Sequence, residues 1–235
     1  MVLSFSSLLQ ISNGQQTQVE KTHGASIQST NIIHLDDLFK QPYKQNKYPD
    51  IKGSPFYVDD WRHADLVFTD GKRFNKVNVK LNLYTQELIY LSPGNIEIIL
   101  KDGIISRMTL YDTSETGMPV SRLFISGFPV AGKDTSFPFF EVLTEGKATL
   151  MSLVKKKITE TKNALSPADE KEFVSIETIY ILFNKEVKKC EKNNDFYISL
   201  FSDKKDSIEK FIKLNKLKCR SREDIISIVK IYNQL

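Results

Sequence analysis

Val77-Asn-Val-Lys-Leu-Asn-Leu83 decides the fold: Val77, Val79, Leu81 and Leu83 alternate with Asn78, Lys80 and Asn82. Successive side chains of a strand point to opposite faces, so this run gives one apolar and one polar face. Working outward, Asp70-Gly71 separates it from Ala64–Thr69. That pair marks a hairpin, because its turn needs positive φ, which glycine adopts at little cost. On the other side, Pro93-Gly94 divides Glu87–Leu91 from Ile96–Leu100, and Asp102-Gly103 divides that run from Ile104–Tyr111. Short strands joined by tight turns predict an antiparallel meander.

Further strands are expected at Arg122–Ser126, Phe139–Leu143 and Ala148–Val154, with a turn at Glu145-Gly146. The charged stretch Lys155–Glu172, with Ser166-Pro167, reads as a protruding loop or hairpin tip. Phe173–Phe183 is β-branched and aromatic and reads as a central strand. Phe196–Phe201 reads as one more strand or the lead into a helix. The period then changes. Asp203 stands as an N-cap before a stripe of Ile208, Phe211 and Ile212, and Ser221 with Asp224 resembles a capping box before Ile225, Ile226, Val229 and Tyr232. The expected fold is mainly β: an antiparallel meander, curved or barrel-like, with a C-terminal two-helix unit.

The chain of 235 residues is 40% hydrophobic and 26% charged, an ordinary globular composition, with apolar runs too short for a membrane-spanning helix. Its 33 basic and 29 acidic residues give +4, too mild to imply nucleic acid. Three His and two Cys give a zinc site little material. Residues 1–14 read as a candidate signal peptide, with Ser12 and Gly14 at cleavage-site spacing and the cut before Gln15, although the first basic residue is Lys21. Residues 15–50 read as a polar extended leader with a turn of helix near Leu35 to Phe39, residues 51–201 as the β domain, and residues 202–235 as a helical unit packed on it. The expected location is periplasmic or extracellular, with the cytoplasm as the alternative.

Several motifs invite chemistry. Gly127-Phe-Pro-Val-Ala-Gly-Lys133 fits a phosphate loop, but Asp134 replaces the required Ser or Thr and Pro129 removes an amide, so a plain loop is expected. His63 lies near Asp59, Asp60 and Asp65, but neighbouring strand residues face opposite ways, and a solvent-exposed or locally hydrogen-bonded His63 is expected. Cys190 and Cys219 are flanked by Lys188, Lys189 and Lys192 and by Lys218, Arg220 and Arg222. Those cations would lower a thiol pKa. The pair reads as a disulfide, as unpaired thiols or, least of all, as a redox couple. The basic segment Lys213–Lys230 reads as a solvated face, with anionic lipid or glycan contact as the alternative. No catalytic, metal or cofactor site is assigned.

Lys52-Gly-Ser-Pro-Phe-Tyr-Val-Asp-Asp-Trp61, then Asp70-Gly71-Lys72, then VNVKLNLYTQEL at Val77–Leu88 resemble a family of exported proteins of the Bacteroidota with a GSPy…W opening and an NlY..eL hairpin. The resemblance spans about residues 50–235 and departs at His63-Ala64, where a glycine soon after the Trp is expected. It implies export and a non-enzymatic β fold, and supplies no active site. The expected function is an exported, non-catalytic binding or envelope-associated protein with an envelope protein or hydrophobic ligand as partner. The alternatives are a carrier of lipid or another hydrophobic ligand in the curved sheet and a hydrolase with a dispersed site.

Overall fold

The computed structural model describes residues 39–44, 47–114, 116–128, 137–161 and 170–235. Among these residues twelve strands form one sheet: β1 Phe39–Pro42, β2 Ile51–Lys52, β3 Arg62–Phe68, β4 Arg73–Asn82, β5 Glu87–Leu91, β6 Glu97–Leu100, β7 Ile105–Thr113, β8 Pro119–Ile125, β9 Phe140–Thr144, β10 Ala148–Thr161, β11 Glu170–Phe183 and β12 Glu186–Lys189. Three helices follow, α1 Asn194–Leu200, α2 Lys205–Leu214 and α3 Arg222–Gln234, with a 3₁₀ turn at Ser202–Lys204. The strand order is β1-β6-β5-β4-β3-β7-β8-β9-β10-β11-β12, antiparallel except that β2 lies parallel to β11. The mainly β fold with a helical C-terminus is as expected. The sheet remains open.

The corner at Asp102-Gly103 is not the expected hairpin, since β7 pairs with β3 and not with β6. This forces the sheet to roll. Strands lie about 4.8 Å apart, so β6 and β7, four steps apart, would be separated by about 19 Å if the sheet were flat. The five residue steps from Leu100 to Ile105 reach at most about 18 Å fully extended, and Gly103 turns at φ 74°. Only a curled sheet brings the two strands within that span. Curling puts one apolar face inside. Ala64, Leu66, Leu81, Ile98, Met108 and Phe124 are buried there, and Val77, Val79 and Leu83 of the alternating run join them. This face is filled by the protein's own side chains. The space beside it at Leu88, Leu100, Ile105 and Phe139 measures about 10 Å³, no more than one water requires.

A second contact holds the curl. The amide of Lys156 in β10 donates to the Leu83 carbonyl at 2.9 Å. Gln86 Nε2 donates to Leu83 and Val154 carbonyls at 2.9 and 3.1 Å. The Lys156 ammonium donates to the carbonyls of Ser54 and Phe56 at 2.6 and 2.8 Å. Burial holds its pKa below the usual lysine value.

Other boundaries moved. Phe39–Pro42, placed in the leader, forms an edge strand on β6, a position where Pro42 costs the ladder nothing. The expected turn of helix near Leu35 lies, but for Phe39, outside the described residues. The charged stretch continues the strands to Thr161 and from Glu170, so β10 and β11 pair over fourteen residues; Ser166-Pro167 lies outside the described residues. Strand β11 is next to the edge, covered in part by β12 through an Asn184-Lys185 turn with φ 51° and 66°. Phe196–Leu200 is helical and Phe201 is its C-cap; Asn193 caps the start, its Oδ1 accepting from the Phe196 amide at 2.8 Å. Asp203 is not an N-cap. It sits in the 3₁₀ turn and accepts a 3.3 Å hydrogen bond from the Tyr232 hydroxyl. Ser221 caps α3 as expected, its Oγ accepting from the Asp224 amide at 3.1 Å.

The helices dock on one face of β9–β11. Tyr197, Phe201, Ile208, Ile228 and Val229 bury there against Ala148, Leu150 and Ile181. Asn233 fixes the end of α3 to the turn before β10: it accepts from the Ala148 amide at 2.8 Å and donates to the Ala148 carbonyl at 2.8 Å.

Candidate functional site

Along β11 the outer edge is covered only in parts. Strand β12 pairs with Tyr180–Phe183, and the Cys190 amide donates to the Ile179 carbonyl at 2.9 Å. Strand β2 pairs with Lys171 and Glu172. Among the described residues nothing pairs with Val174–Thr178 on that side. The chain leaves β12 at Cys190 to enter α1, so the edge opens where the helical unit begins. Side chains of β11 alternate. Glu177 and Ile179 face the helices, and Ile176 faces the opposite way with Tyr180 and Leu182.

A cavity of about 410 Å³ occupies this opening. Its floor includes Ile179 and Ile225, and its rim carries Lys189, Lys192, Arg220 and Arg222. Glu177 is the acid of the lining. Its Oε1 accepts from Arg222 Nη1 at 2.9 Å and from Ser152 Oγ at 2.6 Å, so Arg222 is neutralised locally. Lys189, Lys192 and Arg220 are exposed and have no acidic partner among the described residues. Lys189 stands opposite Tyr180 in the β11–β12 ladder and so projects on the face away from the helices, which leaves Lys192 and Arg220 as two like charges on the helix side of the opening. Such an array raises the local concentration of anions and falls off with salt. The N-terminus of α3 is already complemented: Ser221 caps it, and Glu223 and Asp224 occupy its first turn.

The two cysteines lie in this region as free thiols. Cys219 is fully buried and Cys190 partly so, both within the helical core. Burial pushes Cys190 up to about 12 and Cys219 up to about 11. This corrects the expectation from flanking cations. The basic side chains point into solvent, while the thiols point into the core beside Tyr197, whose hydroxyl burial also pushes upward. These sulfurs are inert at neutral pH.

The other sequence candidates do not converge. His63 is exposed on β3. Asp65 serves structure, accepting from Tyr111 Oη at 2.6 Å and from the Lys76 amide at 2.8 Å. Asp60 pairs with Arg62 at 3.7 Å, and Asp59 accepts from Ser54. Among the described residues no three His, Cys, Asp or Glu side chains gather in metal-binding geometry. Of the Gly127–Asp134 loop, Pro129 onward lies outside the described residues. Among the described residues no helix is long and apolar enough to cross a membrane.

Sequence reading named Lys189 and Lys192 only as neighbours of a cysteine, and placed Arg220 and Arg222 also in the basic segment Lys213–Lys230. The segments lie about thirty residues apart, and only docking of the helices on β11 brings them to one rim. Comparison of the chain with protein-family models, with curated proteins and with solved structures found no match.

Proposed function

We propose that the protein is an exported, non-catalytic binding module, and that its ligand is an anionic partner held in the cleft between β11 and the helical unit. The observation that carries this reading is the pair of cations Lys192 and Arg220, without an acidic partner among the described residues, on the helix-side rim of one 410 Å³ cavity. Positive charge is concentrated in this part of the chain: residues 150–235 hold 18 basic and 13 acidic residues. The inner face that a lipid carrier would use is occupied by core side chains, which supports placing the ligand in the cleft. Export rests on the amino-terminal pattern ending at Ser12-Asn13-Gly14.

Fluorescence anisotropy with a labelled oligoglutamate tests the binding reading. Saturable, salt-sensitive binding that falls at least tenfold in Lys192→Glu/Arg220→Glu is expected. Binding unaffected by that double reversal, or no binding at low salt, would overturn it. Intact mass of the protein from its own host tests export, with a start at Gln15 expected and a full-length chain contradicting it.

A further inference from the structure

The cleft is also an opening in a β-ladder. In the antiparallel β10–β11 pair, alternate residues direct N–H and C=O toward β10 and away from it. The Ile179 carbonyl points away from β10, since it accepts from the Cys190 amide. The pairing is regular over all fourteen residues, so Ser175 and Glu177 also present their N–H and C=O outward. Thr159 Oγ1 donates to the Glu172 carbonyl from the β10 side, which fixes the same phase. Among the described residues Val174–Thr178 is thus a free stretch of edge, bounded by β2 at one end and by Cys190 at the other.

An occupant of this edge would meet different chemistry on its two faces. On the helix side stand Lys192 and Arg220, while Lys189, opposite Tyr180 in the β11–β12 ladder, lies on the other face. On the opposite side stand Val174 and Ile176, which are 37% and 43% exposed. A strand added here alternates its side chains between these two surfaces. Resting on the proposed anion-binding cleft, we infer that its ligand is an extended acidic peptide segment of a partner protein. The segment adds to β11 between β2 and β12, with acidic side chains at every second position toward the cations and β-branched ones between them toward Val174 and Ile176. Main-chain hydrogen bonds to Ser175 and Glu177 would hold the strand, and the charges would choose its sequence. Charge complementarity favours this occupant over a second copy of β11, whose own edge here carries the same cations.

The test uses a labelled hexapeptide of alternating Glu and Val, the same peptide N-methylated at alternate residues, and a block peptide Glu₃Val₃. The full chain is compared with Ser175→Pro. That substitution removes an outward N–H and leaves the β10 ladder intact. The alternating peptide should bind at least tenfold more tightly than the block or N-methylated peptide, and Ser175→Pro should lose at least tenfold. Equal binding of all three peptides that still vanishes in Lys192→Glu/Arg220→Glu would overturn strand addition while leaving the anionic cleft standing. Absence of binding by any acidic peptide would overturn both. A sedimentation shift to a dimer that peptide does not dissolve would assign the edge to a second copy and overturn the peptide reading. Circular dichroism of Ser175→Pro confirms folding, and the N-methylated peptide decides the matter without any variant.

Discussion

Replacing Asn233 by alanine probes how the helical unit is fastened to the sheet. The Asn233 carboxamide accepts from the amide of Ala148 and donates to the carbonyls of Ala148 and Glu145, at 2.8, 2.8 and 3.3 Å. Ala148 is fully buried, so truncation strands a donor and an acceptor at the start of β10. Each buried polar group left unpaired costs about 1–3 kcal/mol. Because the site lies near a turn that water can reach in part, about 2–4 kcal/mol is expected for the pair. At about 2–4 °C per kcal/mol for a chain of this size, the melting temperature should fall by roughly 4–16 °C. Asn215 is the internal control: its Nδ2 donates to the Phe211 carbonyl at 2.9 Å on the surface, and Asn215→Ala should cost about 0.5 kcal/mol or less. The reasoning has a second handle. A Cβ at Gly146 would fall on the Asn233 carboxamide. Gly146→Ala should therefore destabilise the parent more than it destabilises Asn233→Ala, giving a non-additive cycle. Urea unfolding of the four proteins decides it. Asn233→Ala within about 0.5 kcal/mol of the parent, or full additivity with Gly146→Ala, would refute the fastening.

Further outcomes are expected. Cys190 and Cys219 should both resist a thiol reagent in the native protein at pH 7.5 and both react once unfolded; rapid native labelling of either would show that burial does not control them. Folding holds Cys190 near 12, Cys219 near 11 and Tyr57 near 12, above their ordinary values of 9.0, 9.0 and 10.0. Each is neutral when protonated, so their stabilisation is complete below pH about 9 and is lost as pH rises toward 12. Urea midpoints should fall steadily between pH 9 and 11, and a flat profile there contradicts the assignment. Lys156→Met removes the ammonium held by the Ser54 and Phe56 carbonyls. It should cost about 1–3 kcal/mol, since two partly buried acceptors lose their donor; a neutral effect in urea unfolding would show that this contact does not hold the curl.

What was legible in the sequence was local. The alternation at Val77–Leu83 and the Asp70-Gly71 turn gave β4, β3 and their inward face, because side-chain period and glycine φ are properties of a few neighbouring residues. The Asp102-Gly103 corner looked the same but joins strands that do not pair, since pairing there depends on the curl of the whole sheet. Strand β12 was missed because its turn uses Asn184 and Lys185 at positive φ without glycine. Helix α1 was hidden by its aromatic content, although Asn193 followed by Asp195 was a usable capping signal. Asp203 failed as a cap because the Tyr232 hydroxyl and Lys147, at 3.8 Å, bind its carboxylate instead. The cleft was not legible as a unit. Its cations come from two segments, and their meeting depends on the tertiary docking of α3 beside β11. Nor could spacing reveal the free edge at Val174–Thr178, which exists only because β2 and β12 stop short of one another.

The central claim is that ligand binds in the basic opening beside β11. Amide chemical-shift mapping with the alternating Glu-Val peptide tests it most directly. The account predicts that the perturbed amides cluster at Ser175, Glu177, Lys189–Lys192 and Arg220–Arg222, with the Ser175 and Glu177 amides becoming protected from exchange. Shifts centred on another edge, such as β1, or none at saturating peptide, would contradict it.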